Sequence, residues 1–131
     1  MTEPFFVGVE DVLHIHRREI ENAGGDPGVR DLSALEAAVL APQVTHGGEY
    51  LLDVFDMAAA YLVSIAVRHP FVDGNKRAAA ATALTFLYIN GWDVEERQPE
   101  ELADMVFALL RHELDREGVG TWFRERSSPR G

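Results

Sequence analysis

The stretch His69-Pro70-Phe71-Val72-Asp73-Gly74-Asn75-Lys76-Arg77 decides how the rest of the chain is read. Proline disfavours helical geometry at the residue before it, so the helical pattern of residues 53 to 68 must end near Pro70. An alanine-rich body, Ala78 to Asn90, follows at once and puts a second helix start at Gly74 or Asn75. Lys76 and Arg77 then fall in its first turn, where the helix dipole disfavours cations by roughly 0.3 to 1 kcal/mol each. A phosphate held by open backbone N–H groups would offset that penalty, and a Gly-Asn opening lets the backbone approach such a group closely. Taken singly, each residue fits a plainer role: His69 a packed histidine, Asp73 an N-cap, Lys76 and Arg77 a solvated pair. Together they favour the phosphate, because a cap needs neither a histidine four residues upstream nor two cations in the unfavourable turn.

Outward from this stretch the chain reads as helices. Val9, Val12, Leu13, His16, Ile20 and Ala23 recur at helical spacing and predict a first helix over 9–23, closed by Gly24-Gly25. Ser33 and Glu36 stand at capping-box spacing before a short helix that Pro42 stops. Val44-Thr45 ahead of Gly47-Gly48 reads either as a hairpin or as an ordinary surface loop. Asp53 caps a helix carrying Phe55, Ala58, Ala59, Leu62, Ile65 and Ala66, which with the Ala78–Asn90 helix makes the centre of the fold. Pro99 opens a helix whose stripe runs from Leu102 to Leu114, and a last short helix spans Thr121 to about Arg126, docked by Trp122. The expectation is an all-α bundle of about six helices with a short hairpin, one domain over 1–126, and a mobile tail at 127–131.

The nonapeptide resembles the Fic/Doc motif, of general form His-Pro-Phe-x-Asp/Glu-Gly-Asn-x-Arg, and its surroundings fit the death-on-curing (Doc) branch. Gly28-Val29-Arg30-Asp31-Leu32 with Leu35-Glu36-Ala37-Ala38 looks like the family's early Gly-x-Arg-Asp segment, and Phe86 to Gly91 like the end of its central helix. Gly47-Gly48-Glu49 looks like its flap, a strand that aligns the target polypeptide through main-chain pairing. The resemblance implies a toxin of a toxin–antitoxin pair that moves the γ-phosphate of ATP to a hydroxyl of a protein, with elongation factor Tu as the implied target and a cognate antitoxin as partner. The Fic-type reaction, AMP transfer, and a catalytically weak chain that acts by binding an antitoxin are the rivals.

Under that resemblance His69 is the general base, a role open to an imidazole, which can take a proton from an acceptor hydroxyl. Asp73 is a hard oxygen ligand for Mg²⁺ held jointly with substrate phosphates, or simply a cap. Gly74 gives backbone access to the phosphates, Asn75 and Arg77 resemble the family's phosphate contacts, and Arg77 has the planar fork for phosphate oxygens. Lys76 marks the Doc branch: AMP-transferring members usually have glycine there, and a lysine crowds the space for inner phosphates. Ala78 stands where Doc-like sequences often have threonine. Thr121 and Glu125 have the spacing of the Fic inhibitory helix, but Arg126 breaks that pattern. His14 and His16, two apart on a helix, diverge and lack a third metal ligand.

Composition excludes several other classes. Twelve basic against twenty-two acidic residues give a net charge of −10, which opposes attraction to nucleic acid or anionic membranes. The absence of cysteine removes disulfides, thiolate catalysis and Cys-ligated zinc. The start Met1-Thr2-Glu3-Pro4 lacks the basic, then apolar, pattern of a signal peptide, and no apolar run reaches the roughly 18 residues of a membrane span. A cytoplasmic protein is the expectation.

Overall fold

The structure, a computed structural model, describes residues 3–131. Among the described residues six helices carry the fold: α1 (Val9–Ala23), α2 (Leu32–Leu40), α3 (Val54–Arg68), α4 (Asn75–Ile89), α5 (Glu101–Leu110) and α6 (Arg116–Arg126). Helix α1 has the bounds its periodicity gives, and Gly24 ends it at φ 85°. Short antiparallel pairs add β1 (Thr45–His46) with β2 (Glu49–Tyr50), and β3 (Trp92–Val94) with β4 (Ser127–Pro129). The hairpin alternative is the correct one for residues 45–50, because Gly47 and Gly48 take φ 60° and 83°, as a tight two-residue turn requires.

Helices α3 and α4 form the centre. Ala58, Ala59, Ala66, Ala78, Ala79 and Ala83 are fully buried, so small side chains bring the two backbones together. Tyr61 on α3 reaches the N-terminal segment, accepting from Val7 N at 2.9 Å and donating to Val7 O at 3.0 Å, and burial pushes its hydroxyl up to about 12. Helix α6 packs on the other side of α3 through Val119, Trp122 and Phe123.

Five details depart from the sequence reading, the first being that α5 leaves Pro99 before its start and Leu114 beyond its end. Asp31, not Ser33, caps α2, accepting from Ala34 N at 3.0 Å. Pro42 does not stop the helix outright but sits in a 3-10 turn, Ala41–Gln43, that prolongs it. Helix α6 starts at Arg116 rather than Thr121, because Asp115 caps it (Gly118 N to Oδ1, 2.7 Å). Gly118 and Gly120 weaken its helical signal but are there for space: a Cβ on Gly120 would lie 2.2 Å from Asp56 Oδ1 on α3. Residues 127–131, expected to be a loose tail, are tied down through β4, with Arg130 N donating to Gly91 O at 2.7 Å and its guanidinium over Tyr88. Backbone pairing holds a segment that has no apolar side chain to dock, which composition alone does not reveal.

Glu101 at the start of α5 is clamped by Arg126 at the end of α6, with Nε to Oε1 at 2.8 Å. The guanidinium holds the Glu101 carboxyl down to about 2, from an ordinary 4.5. A depressed carboxyl contributes stability above its unfolded value and loses it as pH falls from about 4.5 through about 2. Thermal unfolding of the wild type and Glu101→Gln is therefore expected to differ near neutral pH and to converge toward pH 2.

Candidate active site

The nonapeptide forms the junction between α3 and α4. Helix α3 stops because His69 turns left-handed, at φ 52° and ψ 59°, and Pro70 follows. Such a conformation is uncommon for a residue with a Cβ and marks a position that its surroundings enforce. Arg30 enforces it: Nε donates to His69 O at 2.7 Å and Nη2 to Arg68 O at 2.8 Å. The backbone of the same segment pairs with the junction, Arg30 N and Asp31 N donating to Pro70 O and Val72 N to Gly28 O, with a bridge between Val29 and Phe71.

This pairing relocates the strand expected beside the site. The hairpin at Gly47-Gly48 lies at the other end of the helix pair, lining a cavity with Asp53 at the start of α3 and Asn90 at the end of α4. Helix α3 has 15 residues, about 22 Å at 1.5 Å per residue, and separates that hairpin from His69. It cannot align a polypeptide against His69, and the segment 28–31 is the extended backbone at the motif. The glycine pair identified a turn correctly but carried no information about which end of α3 the turn sits on.

The imidazole of His69 is exposed and has no hydrogen-bond partner among the described residues. It borders a cleft of about 720 Å³ walled by Val67, Leu110, Leu114, His112, Glu113 and Arg116, where an acceptor could approach it. Asp73 is exposed, and one carboxylate oxygen, Oδ2, accepts from Asp26 N at 2.8 Å. It does not cap α4. Gly74 at φ 77° takes the N-cap position with no side-chain acceptor, unlike α2, α3 and α6, which aspartates cap. The N–H groups of Asn75, Lys76 and Arg77 thus open α4 without a partner among the described residues.

Four side chains shape the loop in ways the sequence did not disclose. Asn75 is buried and spans it, Oδ1 accepting from Phe71 N and Nδ2 donating to Phe71 O, both at 2.9 Å. Arg77 turns back to the end of α1, donating to Glu19 O at 3.3 Å and Gly24 O at 3.1 Å. Those carbonyls lie at the negative pole of α1 and already offset part of the cation's unfavourable position on α4. Lys76 holds its ammonium 5.6 Å from the centre of the Phe107 ring on α5, so its charge leans toward α5. His16 is the fourth: buried, stacked on Phe71 and bonded to the loop. Its place on the buried face of α1 was legible, its contact with the motif was not. His14 is exposed. Glu125 forms no hydrogen bond or ion pair with residues 69–77 and instead neighbours Arg126 at 3.5 Å.

Among the described residues no group of three or more histidines and carboxylates gathers to hold a metal, and no helix is long and apolar enough to cross a membrane. Asp73 offers a hard oxygen beside open backbone donors, which fits a magnesium ion that takes its remaining ligands from water and a phosphate chain.

Comparison with known proteins points to one family. The model of the Fic/DOC family matches residues 6–87. A relative named "Protein kinase doc", from Escherichia phage P1, is 34% identical over 118 residues, 90% of this chain and 92% of its own length. A relative named "Toxin Doc", from Mycolicibacterium smegmatis, is 52% identical over 69 residues, 52% of this chain and 53% of its own length.

Proposed function

The chain belongs to the Fic/DOC family, and from that premise we propose that it is a Doc-like toxin that phosphorylates a protein, moving the γ-phosphate of ATP to a hydroxyl. The observation that carries this reading is the junction itself: a base, a carboxylate and an uncapped helix start around one loop, in a chain similar over nearly its whole length to a relative named a kinase. Phosphoryl transfer rests chiefly on positioning and electrostatics, which this set of groups can supply.

His69 takes the proton of the acceptor hydroxyl as that oxygen bonds to the γ-phosphorus, and the bond to the β,γ-bridging oxygen breaks to release ADP. The N–H groups of residues 74–77 and the remaining donors of Arg77 bind the phosphate oxygens. Asp73 would hold Mg²⁺, which when bound neutralises phosphate charge. The exposed edge of residues 28–31 is where a polypeptide can pair. Elongation factor Tu is the target we propose, with arrest of translation as the consequence and a cognate antitoxin as the neutralising partner.

Expression of the chain without an antitoxin is expected to stop translation, and Asp73→Asn to relieve that arrest. In calorimetry Mg²⁺ alone should bind weakly, because one carboxylate is too small a ligand set. Mg–ATP should bind well to the wild type and at least about tenfold more weakly to Asp73→Asn, on the scale of one hydrogen bond to a charged group. Tight Mg²⁺ binding without nucleotide, or Mg–ATP binding indifferent to Asp73→Asn, would contradict the assignment.

A further inference from the structure

We propose that His16 is a positioning residue that sets the peptide between Asp73 and Gly74, and through it the direction of the first phosphate-binding N–H. The side chain comes from α1, far away in sequence, and is 2% exposed. Its ring lies flat against Phe71, with centroids 3.7 Å apart and planes within 4°, and Nε2 is 2.7 Å from Asp73 O. A carbonyl only accepts, so Nε2 carries the proton in this contact.

Stacking alone would make His16 a core side chain. The hydrogen bond gives it a second consequence, because Asp73 O belongs to the peptide whose N–H is that of Gly74. In a trans peptide the C=O and N–H point in opposite directions. Holding the carbonyl toward α1 therefore turns the Gly74 N–H away from α1, and that N–H has no partner among the described residues. Gly74 can follow because it lacks a Cβ: at φ 77° an added Cβ would lie 3.1 Å from Ile20 Cδ1 and 3.5 Å from His16 Nε2. Glycine permits many orientations of this peptide, and His16 selects one.

The role in substrate binding rests on the proposed phosphate site, whereas the orientation of the peptide does not, and the test separates them. His16→Phe keeps a ring against Phe71 and removes the donor, while His16→Gln keeps an N–H near the position of Nε2. If the phenylalanine is not tolerated, His16→Leu replaces it. Amide spectra of the nucleotide-free proteins are compared first, then Mg–ATP affinity by calorimetry, with thermal midpoints as the control for folding. The Gly74 amide resonance is expected to move in His16→Phe and to return toward wild type in His16→Gln. Mg–ATP should bind about tenfold more weakly to His16→Phe and within about threefold of wild type to His16→Gln, as one hydrogen bond's worth implies. A Gly74 amide unmoved in folded His16→Phe, or moved equally in His16→Gln, overturns the proposal. If the amide responds as expected but wild type binds no Mg–ATP, the phosphate-site reading fails and the positioning of the peptide stands.

Discussion

His69→Ala is expected to lower phosphoryl transfer by about 10²- to 10⁴-fold, the range lost when a positioned general base is removed, and to abolish growth arrest at equal protein level. The fold should survive, since the imidazole is exposed and makes no hydrogen bond among the described residues. The stronger form of the prediction uses His69→Gly. Position 69 is left-handed, a conformation costing roughly 1–2 kcal/mol for a residue with a Cβ, against about 0.5–1 kcal/mol for the extra chain entropy of glycine. His69→Gly should therefore unfold no lower than wild type while being as inactive as His69→Ala. Arrest of growth by either variant would remove the base from the mechanism and leave inhibition by binding.

Asn75→Ala is expected to be costly in a different way. Its amide satisfies both the N–H and the C=O of buried Phe71, and each buried group left unpaired costs about 1–3 kcal/mol. A loss of about 2–6 kcal/mol follows, read as a lowered midpoint in chemical denaturation, together with weakened Mg–ATP binding as the loop relaxes. Asn75→Asp separates the two effects. It keeps the acceptor for Phe71 N, and its charge stands at the helix start where phosphate is to bind, so binding should fall by more than stability predicts. An Asn75→Ala protein as stable as wild type would show that this amide is not what holds the loop.

The sequence made the helices and the motif legible because both are local. Val9 to Ala23 repeat at helical spacing, Asp53 has an apolar stripe after it, and Pro70 with Gly74 marks a junction. What it hid depends on which distant segment meets that junction. Arg30, whose guanidinium holds the left-handed turn, stands 39 residues from His69, and His16 stands 57 from Asp73. No periodicity encodes such pairings. The misplaced flap has the same origin: two glycines specify a turn, while its distance from His69 is set by the length of α3. The tail was misjudged because main-chain bonds to β3 hold it, and these leave no mark in composition.

Lys76 and Arg77 both stand in the first turn of α4, and both have partners the sequence did not reveal. Carbonyls of α1 take up part of Arg77, and Phe107 receives Lys76. The proposed binding of phosphate by the loop therefore rests first on its open N–H groups, and the leaning of Lys76 toward α5 weakens crowding of the loop as the reason for preferring γ over α transfer.

That choice of reaction is decided by following the atoms. The protein is incubated with elongation factor Tu, and separately with cell lysate, in Mg–ATP labelled at either the α or the γ phosphate, with His69→Ala as the blank. Protein-bound label from γ-ATP alone, absent with His69→Ala, is the result the account predicts; label retained from α-ATP, or transfer from neither, would contradict it.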